Sequence, residues 1–156
     1  MLAVLLGLAL AAPADPPEDK ELSAEAKKEL KKLEGKWTVT KEVTSNGEKE
    51  NAAIGRGDEV TVEFKGNKVV IAAKEMFEFE LSTLDPTVDP KILDLKALAD
   101  KGPITKGTVI EAIFKFDGDN LILVGYAGEG KKRPANFDPP KDEGVGMWVM
   151  KRVKDK

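Results

Sequence analysis

The 156-residue chain predicts an all-β fold, an eight-stranded antiparallel barrel with one N-terminal helix. Three observations carry that expectation. Apolar and charged residues alternate with a period of two over most of the chain after Gly35, short turn-forming clusters separate the alternating runs, and one stripe at helical spacing stands ahead of them. Alternation places one face of a strand in a core and the other in water, the arrangement of antiparallel sheets.

The first 14 residues, from Met1 to Ala14, are continuously apolar or small and close on Ala12-Pro13-Ala14 before Asp15. This pattern predicts a signal peptide over 1–14, although the customary basic residue near the start is missing. The run is too short to span a hydrocarbon core, which takes about 20 apolar residues. Export to the periplasm or the exterior is therefore expected, with no stable membrane span after cleavage. Residues 15–21 form a polar, Pro-containing spacer, and residues 22–156 the barrel domain.

In the helix, Ser23 serves as N-cap, Glu25 stands in the first turn, and Leu22, Ala26, Leu30 and Leu33 share one face. Lys31 and Lys32 suit its C-terminal end, and Gly35 stops it. Strands are expected near 36–44, 59–64, 68–74, 76–84, 90–95, 107–116, 119–125 and 145–152. Val60, Val62 and Phe64 alternate with glutamates and a threonine; Phe77, Phe79 and Leu81 alternate with Glu78 and Glu80; Ile110, Ala112, Phe114 and Phe116 share one face of the sixth run. Asn46-Gly47, Lys65-Gly66-Asn67 and Asp117-Gly118-Asp119-Asn120 are hairpin signals. Asp85-Pro86 and Asp89-Pro90 mark a further turn, and Gly128 to Gly144, with three prolines, reads as a surface loop. Closure into a barrel removes the exposed edges of such a meander; a β-sandwich fits the same strand count.

Composition narrows the chemistry. The chain has neither cysteine nor histidine, so disulfides, thiolate nucleophiles and every Ser-His or Cys-His dyad are excluded. A net charge of −3 offers no field for nucleic acid. No enzyme activity, cofactor or metal site is expected. Gly125 to Lys131 has part of the spacing of a phosphate loop, but Lys132 stands where Ser or Thr must hold magnesium. Asp117 to Asn120 lacks the distal glutamate of a calcium loop. Arg56-Gly57-Asp58 is a common tripeptide in a Gly-rich turn, and Glu78 and Glu80, opposite Phe77 and Phe79, are expected to face solvent.

Gly35-Lys36-Trp37 at the head of the first strand, with Arg152 near the end of the last, resembles the lipocalin and calycin signature. Leu84-Asp85-Pro86-Thr87, Pro90 to Leu95, Phe116 to Leu121, Arg133 to Phe137 and Val149 to Arg152 stand in the order seen in a bacterial lipocalin-like (calycin-type) domain family of exported proteins without established function. The resemblance implies that Gly35, Trp37 and Arg152 are a structural signature. In it, the tryptophan lies across the barrel floor under the guanidinium, and the first and last strands are neighbours.

An eight-stranded barrel has room for one small ligand or for side chains alone. The ligand-lining candidates are Phe64, Phe79, Phe114, Phe116 and Met147, on faces read as inward, and the expected ligand is small and apolar or amphipathic. The alternative is a side-chain-filled barrel that meets an envelope protein partner through the loop. In that loop, Arg133, Pro134 and Phe137 are candidates either for a site or for an anchor.

Overall fold

The computed structural model describes residues 21–50, 59–127 and 132–154. The expected signal peptide, nearly all of the spacer, Arg56-Gly57-Asp58 and the first residues of the long loop lie outside them.

Helix α1 (Ala24–Leu33) starts where the Ser23 side chain accepts a hydrogen bond from the Ala26 amide at 3.1 Å. That bond satisfies one of the amides left without a partner at a helix start. Nine strands follow: β1 (Gly35–Thr44), β2 (Gly47–Glu50), β3 (Thr61–Lys65), β4 (Lys68–Ala72), β5 (Met76–Asp85), β6 (Lys91–Ala97), β7 (Val109–Asp117), β8 (Asn120–Ala127) and β9 (Val145–Arg152). All neighbours pair antiparallel from β3 to β9, and β1 joins β3 on one side and β9 on the other. Eight staves thus close on themselves and leave no free sheet edge around the ring. The ninth strand, β2, folds back on the distal half of β1 after the Asn46-Gly47 turn. Its Gly-Glu-Lys-Glu sequence carries no apolar alternation, so the sequence reading found the turn and not the strand.

The main core fills the barrel and continues into the helix. Val39, Val62, Val69, Leu93, Leu121 and Met150 line its interior, and Ala26, Leu30 and Leu33 of α1 pack onto the same cluster. Helix α1 lies against the end of the barrel where β1 begins and β9 finishes. There Trp37 pairs across strands with Arg152, whose guanidinium carbon sits 4.2 Å from the centre of the indole ring. The indole Nε1 donates to the Leu33 carbonyl at 2.8 Å, and Arg152 donates to the carbonyls of Lys32, at 2.5 Å, and of Glu34. Three carbonyls at the helix end, which the helix itself cannot satisfy, therefore find partners on the first and last staves. Gly35 is needed there twice over: its φ is +113°, and a Cβ would stand 2.7 Å from the Arg152 guanidinium.

Glu29 ties the helix to the barrel as a second latch. Its side chain is buried, and its carboxylate meets Lys91 of β6 at 2.5 Å and Lys32 at 2.9 Å. Burial alone pushes this carboxyl up, but the hydrogen bonds and charges of Lys32 and Lys91 outweigh it and hold the group below its ordinary value. A carboxyl depressed on folding stabilises the fold above its unfolded value, about 4.3, and loses that contribution as pH falls through the depressed one. Glu29→Gln is expected to cost about 1–2 kcal/mol at neutral pH. The gap between variant and wild type should narrow in urea unfolding below about pH 4; a gap that stays constant with pH would show that the two lysines do not act on Glu29.

A smaller apolar cluster lies outside the barrel. Val43, Ile113, Val124 and Met147 are buried together, with Ile122, Val145 and Phe137 packed against them. Met147, read as inward from the sequence, is therefore a correction: it faces outward, while Gly146, Trp148, Met150 and Arg152 share the inner face of β9. The segment from 132 to 144 covers this outer patch. Arg133 pins it down, donating to both oxygens of the Asp94 carboxylate, at 2.5 and 3.0 Å, and to the Ala112 carbonyl at 2.8 Å. Lys115 lies 4.5 Å over the Phe137 ring.

Candidate functional site

The two ends of the barrel differ. Helix α1, Trp37 and Arg152 occupy one, beside a groove of about 590 Å³ edged by Phe116, Asp119 and, besides Arg152, the basic side chains Lys32, Lys151 and Lys154; at the other, a cavity of about 550 Å³ opens between the ends of β1, β4, β6, β8 and the starts of β7 and β9. Its walls include Ile71, Leu95, Ile110, Leu123 and Trp148, with Glu42 among them. This volume lies within the range of about 300–1,000 Å³ typical of small-molecule sites.

Two features of the strands build the cavity. The first is small residues. Gly125 and Gly146 are cross-strand partners in its wall, and Ala112 stands beside Gly125 on β7, so one row across three adjacent staves adds almost no side chain between Ile110, Leu123 and Trp148. The second is a β-bulge. The register between β1 and β9 runs Val39 to Met150 and then Lys41 to Val149, so Thr40 is an extra residue, and its hydroxyl donates to the Val149 carbonyl at 3.1 Å. An extra residue reverses the phase of everything after it. Trp37 and Val39 point inward before the bulge; beyond it Glu42 and Thr44 point into the cavity, and Val43 goes to the outer cluster. Inside, the Trp148 indole Nε1 donates to Glu42 Oε1 at 3.4 Å.

None of the five sequence-derived lining candidates forms a wall of this cavity. Phe64, Phe79 and Phe114 are no more than 2% exposed and are packed shut within the main core. Phe116 lies beside the floor, its ring centre 6.2 Å from that of Trp37 and edge-on to Phe114. Met147 is outside. These side chains fill the barrel near its core, and the cavity exists where bulk is missing. Among the loop candidates, Arg133 anchors to Asp94 and Phe137 packs on the outer cluster. Arg133 and Pro134 also border a shallow groove of about 760 Å³ beneath the loop. Its remaining walls mix Lys132, Asn136, Asp138 and Lys141 with Val124, Ala135, Pro139 and Pro140, a less apolar lining than that of the barrel mouth.

Other motifs resolve into turns and surfaces. Asp117 to Asn120 forms the β7–β8 hairpin with Gly118 at φ +58°, and Gly125 to Ala127 are strand residues of β8. Glu78 pairs with Lys68 at 3.1 Å on the outer face. Among the described residues no group of three or more acidic side chains is placed to share a metal ion, and no helix is long and apolar enough to cross a membrane.

Comparison of the chain with protein-family models, with curated proteins and with solved structures found no match. The functional reading therefore stands on the geometry of the barrel.

Proposed function

We propose that this protein is an exported, lipocalin-like binding module that holds one small apolar or amphipathic molecule in the open end of its barrel. The observation that carries the reading is the 550 Å³ cavity with walls of Ile71, Leu95, Ile110, Leu123 and Trp148, at the end away from α1 and the Trp37–Arg152 contact. Transfer of apolar ligand surface from water into such walls yields roughly 25 cal/mol per Å² buried. The competing reading, a filled barrel acting through its loop, expects side chains to occupy this space. The lipocalin assignment is supported by the contact between Trp37 and Arg152, and export by the apolar run ending in Ala12-Pro13-Ala14. No enzymatic role is proposed, since no histidine or cysteine exists to serve as base or nucleophile.

Gly146→Leu tests the reading. The backbone there is free of positive φ, and a Cβ meets nothing within 4 Å, so the leucine should enter the cavity without disturbing the fold. In calorimetric titration with decanol, wild type should bind and Gly146→Leu should bind at least about tenfold more weakly, at an unchanged urea midpoint. Equal binding by both, or none by wild type, would contradict the proposal. Export is checked separately by mass spectrometry of the mature chain, expected to begin at Asp15; an intact Met1 in the cytosolic fraction of the native host contradicts it.

A further inference from the structure

We infer that the cavity selects an amphiphile with a cationic head, an organic ammonium group on an apolar tail. This rests on the ligand-binding reading above and assigns the chemistry of the ligand's polar end.

A purely apolar ligand needs only the aliphatic walls, and for it a carboxylate among them is a liability. Charge beside apolar side chains is unfavourable unless a partner compensates it. Glu42 nevertheless points inward, and it does so only because Thr40 is inserted as a bulge; an unbroken β1 would carry Lys41 and Val43 on the inner face instead. Bulges of this kind serve to re-aim side chains. The long hydrogen bond from Trp148 reaches one carboxylate oxygen, and the other has no hydrogen-bond or ion-pair partner among the described residues. No lysine or arginine is among the described residues lining the cavity, and the cross-strand partner of Glu42 on β2 is Lys49.

A cation fits this arrangement on two counts. The carboxylate supplies the counter-charge in surroundings of lowered polarity, where opposite charges attract more strongly than in water. Trp148, lining the same space, supplies an indole, the aromatic ring with the strongest attraction for organic ammonium ions. An anionic head, as in a fatty acid, would meet Glu42 as a like charge. The tail then lies against Ile71, Leu95, Ile110 and Leu123.

The test uses the full chain at neutral pH and three monomeric probes sharing one decyl tail: a trimethylammonium, an alcohol and a carboxylate. Calorimetry should give the trimethylammonium about tenfold tighter binding than the alcohol, with the carboxylate weakest. Glu42→Gln, which keeps a hydrogen-bond acceptor for Trp148, should bring the ammonium-to-alcohol affinity ratio to within about twofold of one. Alcohol or carboxylate binding as tightly as the ammonium would overturn the inference while leaving the cavity a ligand site, as would a ratio that survives in Glu42→Gln. Failure of all three probes to bind would overturn both this inference and the function it rests on.

Discussion

Trp37→Ala should lower stability by about 3–5 kcal/mol, the range for deleting a buried aromatic whose space cannot collapse. Trp37 is 2% exposed and lies where three elements meet. Its ring packs beside Phe116, its face carries Arg152, and its Nε1 holds the Leu33 carbonyl. Truncation therefore leaves a void in the floor, strips the guanidinium of its aromatic partner and releases one carbonyl at the end of α1. Collapse into the gap is restrained because β1 is hydrogen-bonded on both sides here, to β3 and to β9. The urea midpoint should fall steeply without a change in the slope of the transition. An unchanged midpoint would mean that the indole is not the floor of the barrel.

Arg133→Ala should cost about 3 kcal/mol, through the group it leaves behind and not through its own lost contacts. Asp94 is only 7% exposed, and its carboxylate takes both of its hydrogen bonds from Arg133. Without the guanidinium, a buried negative charge has no counter-ion, the Ala112 carbonyl loses a donor, and the segment covering Val43, Ile113, Val124 and Met147 loses its anchor. Replacing both partners with apolar residues, as in Arg133→Met combined with Asp94→Leu, should recover most of the loss. Urea unfolding of the single and double variants separates the alternatives: a double variant as unstable as Arg133→Ala would show that the stranded carboxylate is not the cause.

Much of the architecture could be read from residue order. Alternation at Val60 to Phe64 and Ile110 to Phe116, the helix stripe and the Gly-Asn and Asp-Gly turns all describe local geometry, and each is found where local rules put it. The pairing of Trp37 with Arg152 is non-local, and the sequence reading reached it through resemblance to a signature. What escaped was phase. The inserted residue at Thr40 leaves no compositional mark, so nothing local announced that Glu42 turns inward. A similar irregularity between Leu81 and Thr83 brings both Leu81 and Leu84 into the core at a spacing of three.

Strand β9 posed a different difficulty. Val145, Met147 and Val149 are as apolar as Trp148 and Met150, because the Arg133-anchored segment covers the outer face, and alternation cannot choose between two buried faces. Counting back by twos from Arg152 would have placed Met150, Trp148 and Gly146 inside and Met147 outside. The candidate site was missed for a related reason. Inward phenylalanines suggest a lining, yet large side chains close a small barrel, and a cavity is made by their absence. Gly125 and Gly146, each interrupting an apolar strand, were the available signal.

In the proposed function the ligand enters the end lined by Trp148 and not the end where Trp37 meets Arg152. The chain contains two tryptophans, one at each end, and hence two indole N–H resonances. Titrating isotopically labelled protein with decyltrimethylammonium and following both resonances by two-dimensional NMR tests the claim directly. The Trp148 signal should move in a saturable manner, while that of Trp37, hydrogen-bonded to Leu33, stays in place. Movement of Trp37 with Trp148 fixed, or of neither, would contradict it.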